Sequence, residues 1–399
     1  MLDSVSVSKP SAPDPTPVYA RPRVVFLTDI PTPYMIEIMR ALSLNADLLC
    51  MFCAASAGRG MNWNFESKLG FQHLVIGGMR IKRNADTTDY YISPRIFWRL
   101  LRARPQAIIS GGFSIPSVYA YLYCKLTGAK LIIYSDGTSA YEKKFGRLQH
   151  AARKVLVPRA SGFIAQSRPA ADRFEELGAE GRRIFLAPHT TNMAPLLTIG
   201  ASRNWSERAE LRLLVVGRLI PRKGVGHLIR ALAAMRPTRR PVSLTIVGSG
   251  PEEPELRALV QSLGVGGVRF VGFVDQDRLP AHYAAADVFV FPTLDDPFGM
   301  VLLEAAATGL ALVASEHAGA TLDFIKDGES GFVFDPRNEH ALAELIAKLA
   351  DSPDLTRDLG LAAYKLARLR TPERTAENYL SAIMTVMADR KPSWKQLRL

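Results

Sequence analysis

Cysteine is scarce in this sequence: Cys50, Cys53 and Cys124 are the only three in 399 residues. So few exclude a disulfide framework. Cys50 and Cys53 are spaced C-x-x-C inside the apolar run LLCMFC, but no second ligand pair completes a zinc site, and a strand interior is the better reading. No run approaches the roughly 18 to 20 apolar residues of a membrane-spanning helix. The first residues lack the charged start and apolar block of a secretion signal, so a cytoplasmic location is expected.

Several catalytic signatures are also missing. Without a G-x-S-x-G elbow, a hydrolase reading has no nucleophile. The glycine turn at Gly248 to Glu253 lacks the Lys-Ser/Thr of a P-loop and the third glycine of a dinucleotide fingerprint. Asp275, Gln276 and Asp277 spell D-x-D, but they precede a helical pattern starting near Leu279 and read as a helix cap. Asp295 with Asp296 likewise reads as a turn, and the seven histidines show no ligand spacing with other donors. Chemistry without a bound metal or cofactor is therefore expected.

Charge is unevenly placed. Residues 1–200 hold 25 Lys+Arg against 14 Asp+Glu, and residues 201–399 hold 25 against 24, so the +12 excess divides into +11 and +1. A basic first half suits a phosphate-bearing partner, an anionic membrane surface, or simply a solvated face. Lys143, Lys144, Arg147, Arg153 and Lys154 fall along one expected helical stretch and are the candidate membrane or acceptor contact. No compact basic helix with interleaved aromatics stands out, so nucleic acid is not an expected partner.

Short β-rich runs alternate with helical stretches throughout. RVVFLT from Arg23, DLLCMFC from Asp47, HLVIGG from His73, AIIS from Ala107, LIIYS from Leu131 and GFIAQ from Gly162 form one series. After a weak pattern between Ala194 and Glu210, LRLLVVG from Leu211 opens a second, followed by VSLTIVG, VRFVGF, DVFVFP, LALVAS and GFVFD. This predicts an α/β protein of two Rossmann-like, doubly wound domains facing a central cleft. The expected divisions are a disordered leader over 1–20, a first domain over 21–195 and a second over 210–372. An amphipathic stretch and basic tail over 373–399 could return to the first domain.

The second domain carries the chemistry. The run from Leu211 to Gly217 leads straight into Arg218 and Lys223, cations at the carboxyl end of a strand, where such sheets bind ligands. Arg218 offers a planar fork and Lys223 a mobile point charge, both suited to a diphosphate. DVFVFP then leads through an acidic turn into a helix beginning near Gly299, so Phe298, Gly299 and Met300 present amides at a helix N-terminus. Asp296 lies on the turn and Glu304, eight positions later, one and a half turns into the helix. A carboxylate in an otherwise apolar helix requires hydrogen-bond partners, which a ribose diol would supply. The alternatives are a structural hydrogen bond for Glu304 and a helix cap for Asp296.

The segments VGRLIPRKG, IVGSGPEEPELRALVQSLGV, RFVGFV, ADVFVFPTLDDPFGMVLLEAAATG and GFVFDP, in this order and spacing, resemble the family 4 retaining glycosyltransferases of GT-B fold, of bacterial cell-surface polysaccharide type. In the first half FLTDIPTPYMIEIMRAL, IISGGFSIPSVYAYL, LIIYSDGTS and APHTTN resemble the same family more loosely. The resemblance implies that Arg218 and Lys223 hold the diphosphate, Glu304 the ribose and Asp296 the donor sugar. It gives the backbone from Phe298 through Gly299 and Met300 to Val301 the β-phosphate and sugar hydroxyls. Gly217 would sit beside the donor, and Val271, Gly272, Phe273 and Val274 would line the base pocket. The family usually has Glu where this chain has Asp296, and it often places a glycine pair after the first strand and a histidine in the first domain's cleft. Here Asp29, Ile30 and Pro31 follow the first strand, and Asp136 is the candidate facing the reaction centre, for acceptor positioning or proton removal.

A metal-free transfer of a hexose from a nucleotide diphosphate sugar to a glycan or polyprenyl-diphosphate-linked acceptor, with retention, is the expected activity. An epimerase or phosphorylase of the same fold and a non-catalytic nucleotide-sugar-binding protein are the alternatives.

Overall fold

The computed structural model describes residues 21–55, 69–81, 90–143, 145–204 and 208–388. The expected leader over 1–20, Lys144 and the basic tail from residue 389 lie outside the described residues.

The first half contains β1 (Arg23–Thr28), β2 (Asp47–Phe52), β3 (Gln72–Val75), β4 (Met79–Ile81), β5 (Tyr90–Ile92), β6 (Ala107–Gly111), β7 (Lys130–Ser135), β8 (Gly162–Ala165) and β9 (Ile184–Leu186). Seven of them form one parallel sheet in the order β3-β2-β1-β6-β7-β8-β9, and β4 and β5 pair as a separate antiparallel hairpin. The second half contributes β10 (Leu211–Val216), β11 (Val242–Val247), β12 (Val268–Gly272), β13 (Val288–Phe291), β14 (Ala311–Ser315) and β15 (Phe332–Phe334), parallel in the order β12-β11-β10-β13-β14-β15. Both are doubly wound. Strand order reverses between β1 and β6 in one and between β10 and β13 in the other, and the crevice at such a reversal is where these sheets take ligands.

Helices cover both faces of each sheet, so the strands are continuous apolar runs: Val24 through Leu27 and Val288 through Phe291 are buried. Each sheet accordingly has a hydrophobic cluster on either face. The helix Pro372–Met387 crosses back to the first domain, where Ala376, Tyr379, Ala382, Ile383 and Val386 join the cluster around Phe26 and Ile38.

Two local expectations are corrected. The weak pattern after Ala194 is a helix, Ala194–Ala201, packed on the second domain through Leu196. Its small residues reflect close packing: a Cβ on Gly200 would lie 2.3 Å from the Ala307 carbonyl oxygen. A basic helix with aromatics does exist, Arg95–Ala103, carrying Arg95, Arg99 and Arg102 beside Phe97 and Trp98. Its period is masked in the sequence because Ile96 and Leu100 alone are buried.

Candidate active site

The loops at the two points of strand reversal face each other. In the second domain, Gly217 follows the end of β10 and the chain passes the exposed Arg218 into a single 3-10 turn, Pro221–Lys223. Gly224 follows with φ +67°, and a Cβ there would stand 2.0 Å from the Pro292 carbonyl oxygen, so only glycine lets this loop approach the end of β13 so closely. That approach brings Lys223 to Asp296. Their side chains form a largely buried ion pair, with the ammonium also 5.4 Å above the Phe291 ring. Arg222 fixes the same junction by donating to the Asp295 carbonyl at 2.9 Å. Arg218 makes no side-chain hydrogen bond or ion pair among the described residues.

Asp296 begins the turn into the helix Met300–Ala307. Its Oδ1 accepts from the Phe298 amide at 3.1 Å while Oδ2 takes Lys223. The Phe298 amide is therefore already engaged inside the turn, which corrects the expectation that it is offered to a ligand. Gly299, with φ +97°, starts the helix, and Leu302 donates to its carbonyl at 3.0 Å. The amides of Gly299, Met300 and Val301 precede the first intrahelical bond and remain at the helix's positive end. Met300 and Val301 turn part of their side chains into the apolar cluster.

Glu304 accepts a hydrogen bond from the Tyr283 hydroxyl at 2.8 Å, and burial pushes its carboxyl up to about 7. The structural hydrogen bond weighed as the alternative for Glu304 is therefore present, but it comes from the helix Leu279–Ala285 and not from a loop. At the end of β12, Gly272 takes φ +83°, Phe273 is 72% exposed, and Val271 and Val274 pack partly into the cluster with Tyr283. Of the expected base-pocket residues, Phe273 is the one that presents an open apolar face.

Across the cleft, Asp136 follows β7. Its side chain is half-buried; desolvation by the surrounding protein first, and the Asp296 and Glu142 carboxylates besides, push its carboxyl up to about 6. Its neighbour is His189, which sequence reasoning passed over. The ring is buried, with Nε2 4.0 Å from Asp136 Oδ2 and Nδ1 without a hydrogen-bond partner. It lies edge-on to Tyr34 at 4.7 Å and to Phe298 of the second domain at 5.0 Å. Burial pulls its pKa down to about 3, so it is neutral at physiological pH. The APHTTN segment held the signal: a histidine just beyond a buried strand reaches the cleft.

The basic stretch is not one surface. Arg153 is 5% exposed; it donates from Nε and Nη2 to Glu142 at 3.0 and 2.5 Å and is flanked by Phe113 and Phe145. Arg173 pairs with the same carboxylate at 2.8 Å. Arg153 is thus corrected from a membrane contact to a buried structural cation. Lys143, Arg147 and Lys154 are exposed, and a break separates the short helix Ser139–Glu142 from the helix Arg147–Leu156. Larger apolar exposure occurs elsewhere, at Trp98 (67%), Leu122 (43%) and Leu126 (73%).

His317 departs from the expectation that the histidines show no ligand spacing with other donors. It meets Glu316 and Asp335 in a group that could hold an ion among the described residues. Arg337 already lies 2.9 Å from its Nε2 and 3.7 Å from Asp335, which gives the carboxylate a cation.

Residues 203–366 match the family model described as glycosyl transferases group 1. The GDP-mannose-dependent alpha-(1-6)-phosphatidylinositol monomannoside mannosyltransferase of Mycobacterium tuberculosis is 36% identical over 173 residues, 39% of this chain and 45% of that protein. Glycogen synthase of the same organism is 32% identical over 243 residues, 61% of this chain and 56% of that protein. The chain spans about half the length of the curated relatives it matches. Among solved structures, HepE of Anabaena in complex with UDP superimposes with a TM-score of 0.72 at 19% identity, covering 91% of this chain and 99% of that one. Sucrose-phosphate synthase from Thermosynechococcus elongatus gives 0.70 at 19% identity, covering 93% and 100%. The shared architecture is the GT-B fold.

Proposed function

The second domain belongs to the glycosyl transferases group 1, and on that premise we propose that the chain is a glycosyltransferase taking a hexose from a nucleotide diphosphate sugar. The observation that carries this reading is the convergence of Lys223, Arg218, Asp296 and the Gly299–Val301 amides at the point of strand reversal, with Glu304 one and a half turns deeper. A diphosphate fits the cations and amides, and a ribose diol fits Glu304. The mannosyltransferase relative is GDP-mannose-dependent and HepE has been solved with UDP-glucose, so UDP- and GDP-hexoses are the first donors to test.

The reaction breaks the bond from the anomeric carbon to the diphosphate oxygen and forms one to an acceptor hydroxyl on the same face of the sugar. The acceptor proton passes to the departing diphosphate oxygen. Lys223 and Arg218 stabilise the charge growing there, and such preorganised charge supplies a major share of rate enhancement. No metal is needed for this step. Asp136, across the cleft, orients the attacking hydroxyl.

The acceptor is a glycan, and attachment of the protein to an anionic inner-membrane surface would bring lipid-linked glycans within reach. Among the described residues, no helix is long and apolar enough to cross a membrane. Residues 90–135 contain no Asp or Glu and six basic residues: Arg95, Arg99, Arg102, Arg104, Lys125 and Lys130. The helices Arg95–Ala103 and Ile115–Thr127 pack together, and each leaves large apolar side chains exposed, Trp98 on the first and Leu122 and Leu126 on the second. Exposed Trp and Leu with surrounding arginine suit the interface of an anionic bilayer.

Calorimetric titration of UDP, GDP and ADP without metal, on the wild type and on Glu304→Ala, tests the donor site. Binding of one nucleotide that weakens in the variant supports it; absence of binding to all three overturns it.

A further inference from the structure

One cavity of the first domain opens beside Asp136 and belongs to the cleft. Another, of about 600 Å³, opens at the opposite rim of the same sheet, by the amino ends of β1, β6 and β7. Resting on the membrane reading above, we infer that this second cavity binds the phosphate of an anionic lipid headgroup. It is an anchor for the first domain and not an acceptor site.

The charge of the wall is of one sign. Arg23, Arg104 and Lys130 line the cavity, and no Asp or Glu does. None of the three side chains makes a hydrogen bond or ion pair among the described residues. The arginines present planar forks and the lysine a point charge, the donors that phosphate oxygens take. The neutral groups are engaged with one another: the Tyr123 hydroxyl donates to the Pro105 carbonyl, and the Thr127 hydroxyl to the Tyr123 carbonyl at 2.9 Å. The cations are what the wall offers to a ligand.

The backbone supports the same assignment. Arg104, with φ +47°, is the one non-glycine residue with a positive φ among the described residues. It ends the helix Arg95–Ala103 in the left-handed conformation that suits glycine, and Gly128 fills that place at the end of Ile115–Thr127. An arginine held there brings its guanidinium to the cavity at a cost in backbone strain.

Two features oppose an anion. Both helices end at this cavity, and each C-terminus carries about half a negative charge. Arg102 and Lys125 in the last turns offset those ends, and three full cations in the wall outweigh them. Asp47 stands in register with Arg23 on the neighbouring strand, but it does not line the cavity, and its side chain forms no ion pair among the described residues.

The surroundings choose a lipid over a free phosphate. Thr127 and Gly128 in the wall follow the exposed Leu126 directly, and Leu101 stands about one turn beyond the exposed Trp98. A lipid sets its phosphate among the cations and its chains beyond this apolar rim, whereas a free phosphate gains nothing from the rim.

The test is sedimentation of the full chain with phosphatidylglycerol vesicles at low salt. Arg104→Gly with Lys130→Ala removes two charges from the cavity. Arg102→Ala with Lys125→Ala removes two from the adjoining helix ends, outside the lining. Diffuse attraction predicts equal losses of partitioning, whereas a phosphate seated in the cavity predicts that the first pair loses at least about 10-fold more than the second. Arg104→Gly by itself should melt no lower than the wild type, because glycine is favoured at this φ, so lost binding is not lost folding. Equal losses overturn the inference and leave the membrane reading standing. Replacing chloride by about 10 mM inorganic phosphate at constant ionic strength should leave the wild type on the vesicles. Release by that exchange assigns the cavity to free phosphate and overturns the lipid. A wild type that phosphatidylglycerol vesicles do not retain defeats the membrane reading and takes this inference with it.

Discussion

Lys223, in the loop after β10, and Asp296, in the loop after β13, are held as an ion pair across the point where the second sheet reverses its strand order. Both groups are assigned to the donor, yet each is engaged with the other. An arriving diphosphate must draw the ammonium from the carboxylate, and Asp296 must turn one oxygen to the sugar while the other keeps the Phe298 amide. Asp296→Asn preserves that amide contact and releases Lys223. Nucleoside diphosphate binding should tighten about fivefold, the worth of a partly buried pair, while turnover falls about 100-fold or more. Calorimetry beside a product assay checks both; unchanged affinity would show that the pair and the donor do not compete.

Lys223→Ala should lower turnover by about 100-fold to 1000-fold and weaken donor binding far less, because charge on the leaving diphosphate is greater in the transition state than in the bound donor. Steady-state rates and a separate donor Kd distinguish the two. Equal losses in both would reduce Lys223 to a ground-state anchor.

Glu304 gives a pH signature. With its carboxyl raised to about 7 by burial, it is largely protonated at pH 6 and ionised at pH 8. Ribose hydroxyls are held best by the ionised acceptor, so nucleotide affinity should rise between pH 6 and 8, and Glu304→Gln should flatten that rise. Stability runs the other way. A carboxyl raised in the fold contributes fully below its unfolded value, and the contribution is lost as pH rises through about 7. Glu304→Gln should therefore melt higher than the wild type at pH 8, by a few degrees for a cost on the order of 2 kcal/mol. A wild type whose affinity does not change across this range would remove Glu304 from the ribose site.

The second domain was legible in the sequence because its signals are local. Each of its six strands is a compact apolar run, and the cations and helix start that follow β10 and β13 sit next to the strands that aim them. The first domain hid more. His189 and Asp136 are 53 positions apart and meet only because β7 and β9 end at the same rim of one sheet. The strand Ile184–Leu186 is three residues long, too short for an alternation to register, and it is what delivers His189. Arg153 was misread for a related reason: its carboxylate partner, 11 residues earlier, belongs to a different helix, so helical spacing does not apply between them.

The position of Arg153 has its own consequence. Removing a buried cation leaves its partner uncompensated, at a cost of roughly 3–5 kcal/mol, here eased by Arg173 on the same carboxylate. Arg153→Met should lower the melting temperature by several degrees, whereas Lys154→Ala, exposed on the next position, should leave it unchanged. Calorimetric melts of the two variants decide. Similar melts would place Arg153 at the surface after all.

Membrane attachment makes the sharpest distinction between two faces of the first domain. Lys143, Arg147 and Lys154 offer charge alone, whereas the face of Trp98, Leu122 and Leu126 joins charge to apolar area in a stretch with no acid. Each basic residue near an anionic surface contributes about 1 kcal/mol and is screened by salt, while buried apolar side chains are not. Sedimentation with phosphatidylglycerol vesicles should retain the wild type at low salt and part of it at about 0.5 M, where the Debye length falls to about half its physiological value. Trp98→Ser with Leu126→Ser should abolish the salt-resistant fraction and leave donor binding intact, since neither residue lines the cavity at the cleft. If that pair of changes has no effect while charge reversal at Lys143, Arg147 and Lys154 releases the protein, the contact belongs to the second face and is electrostatic alone.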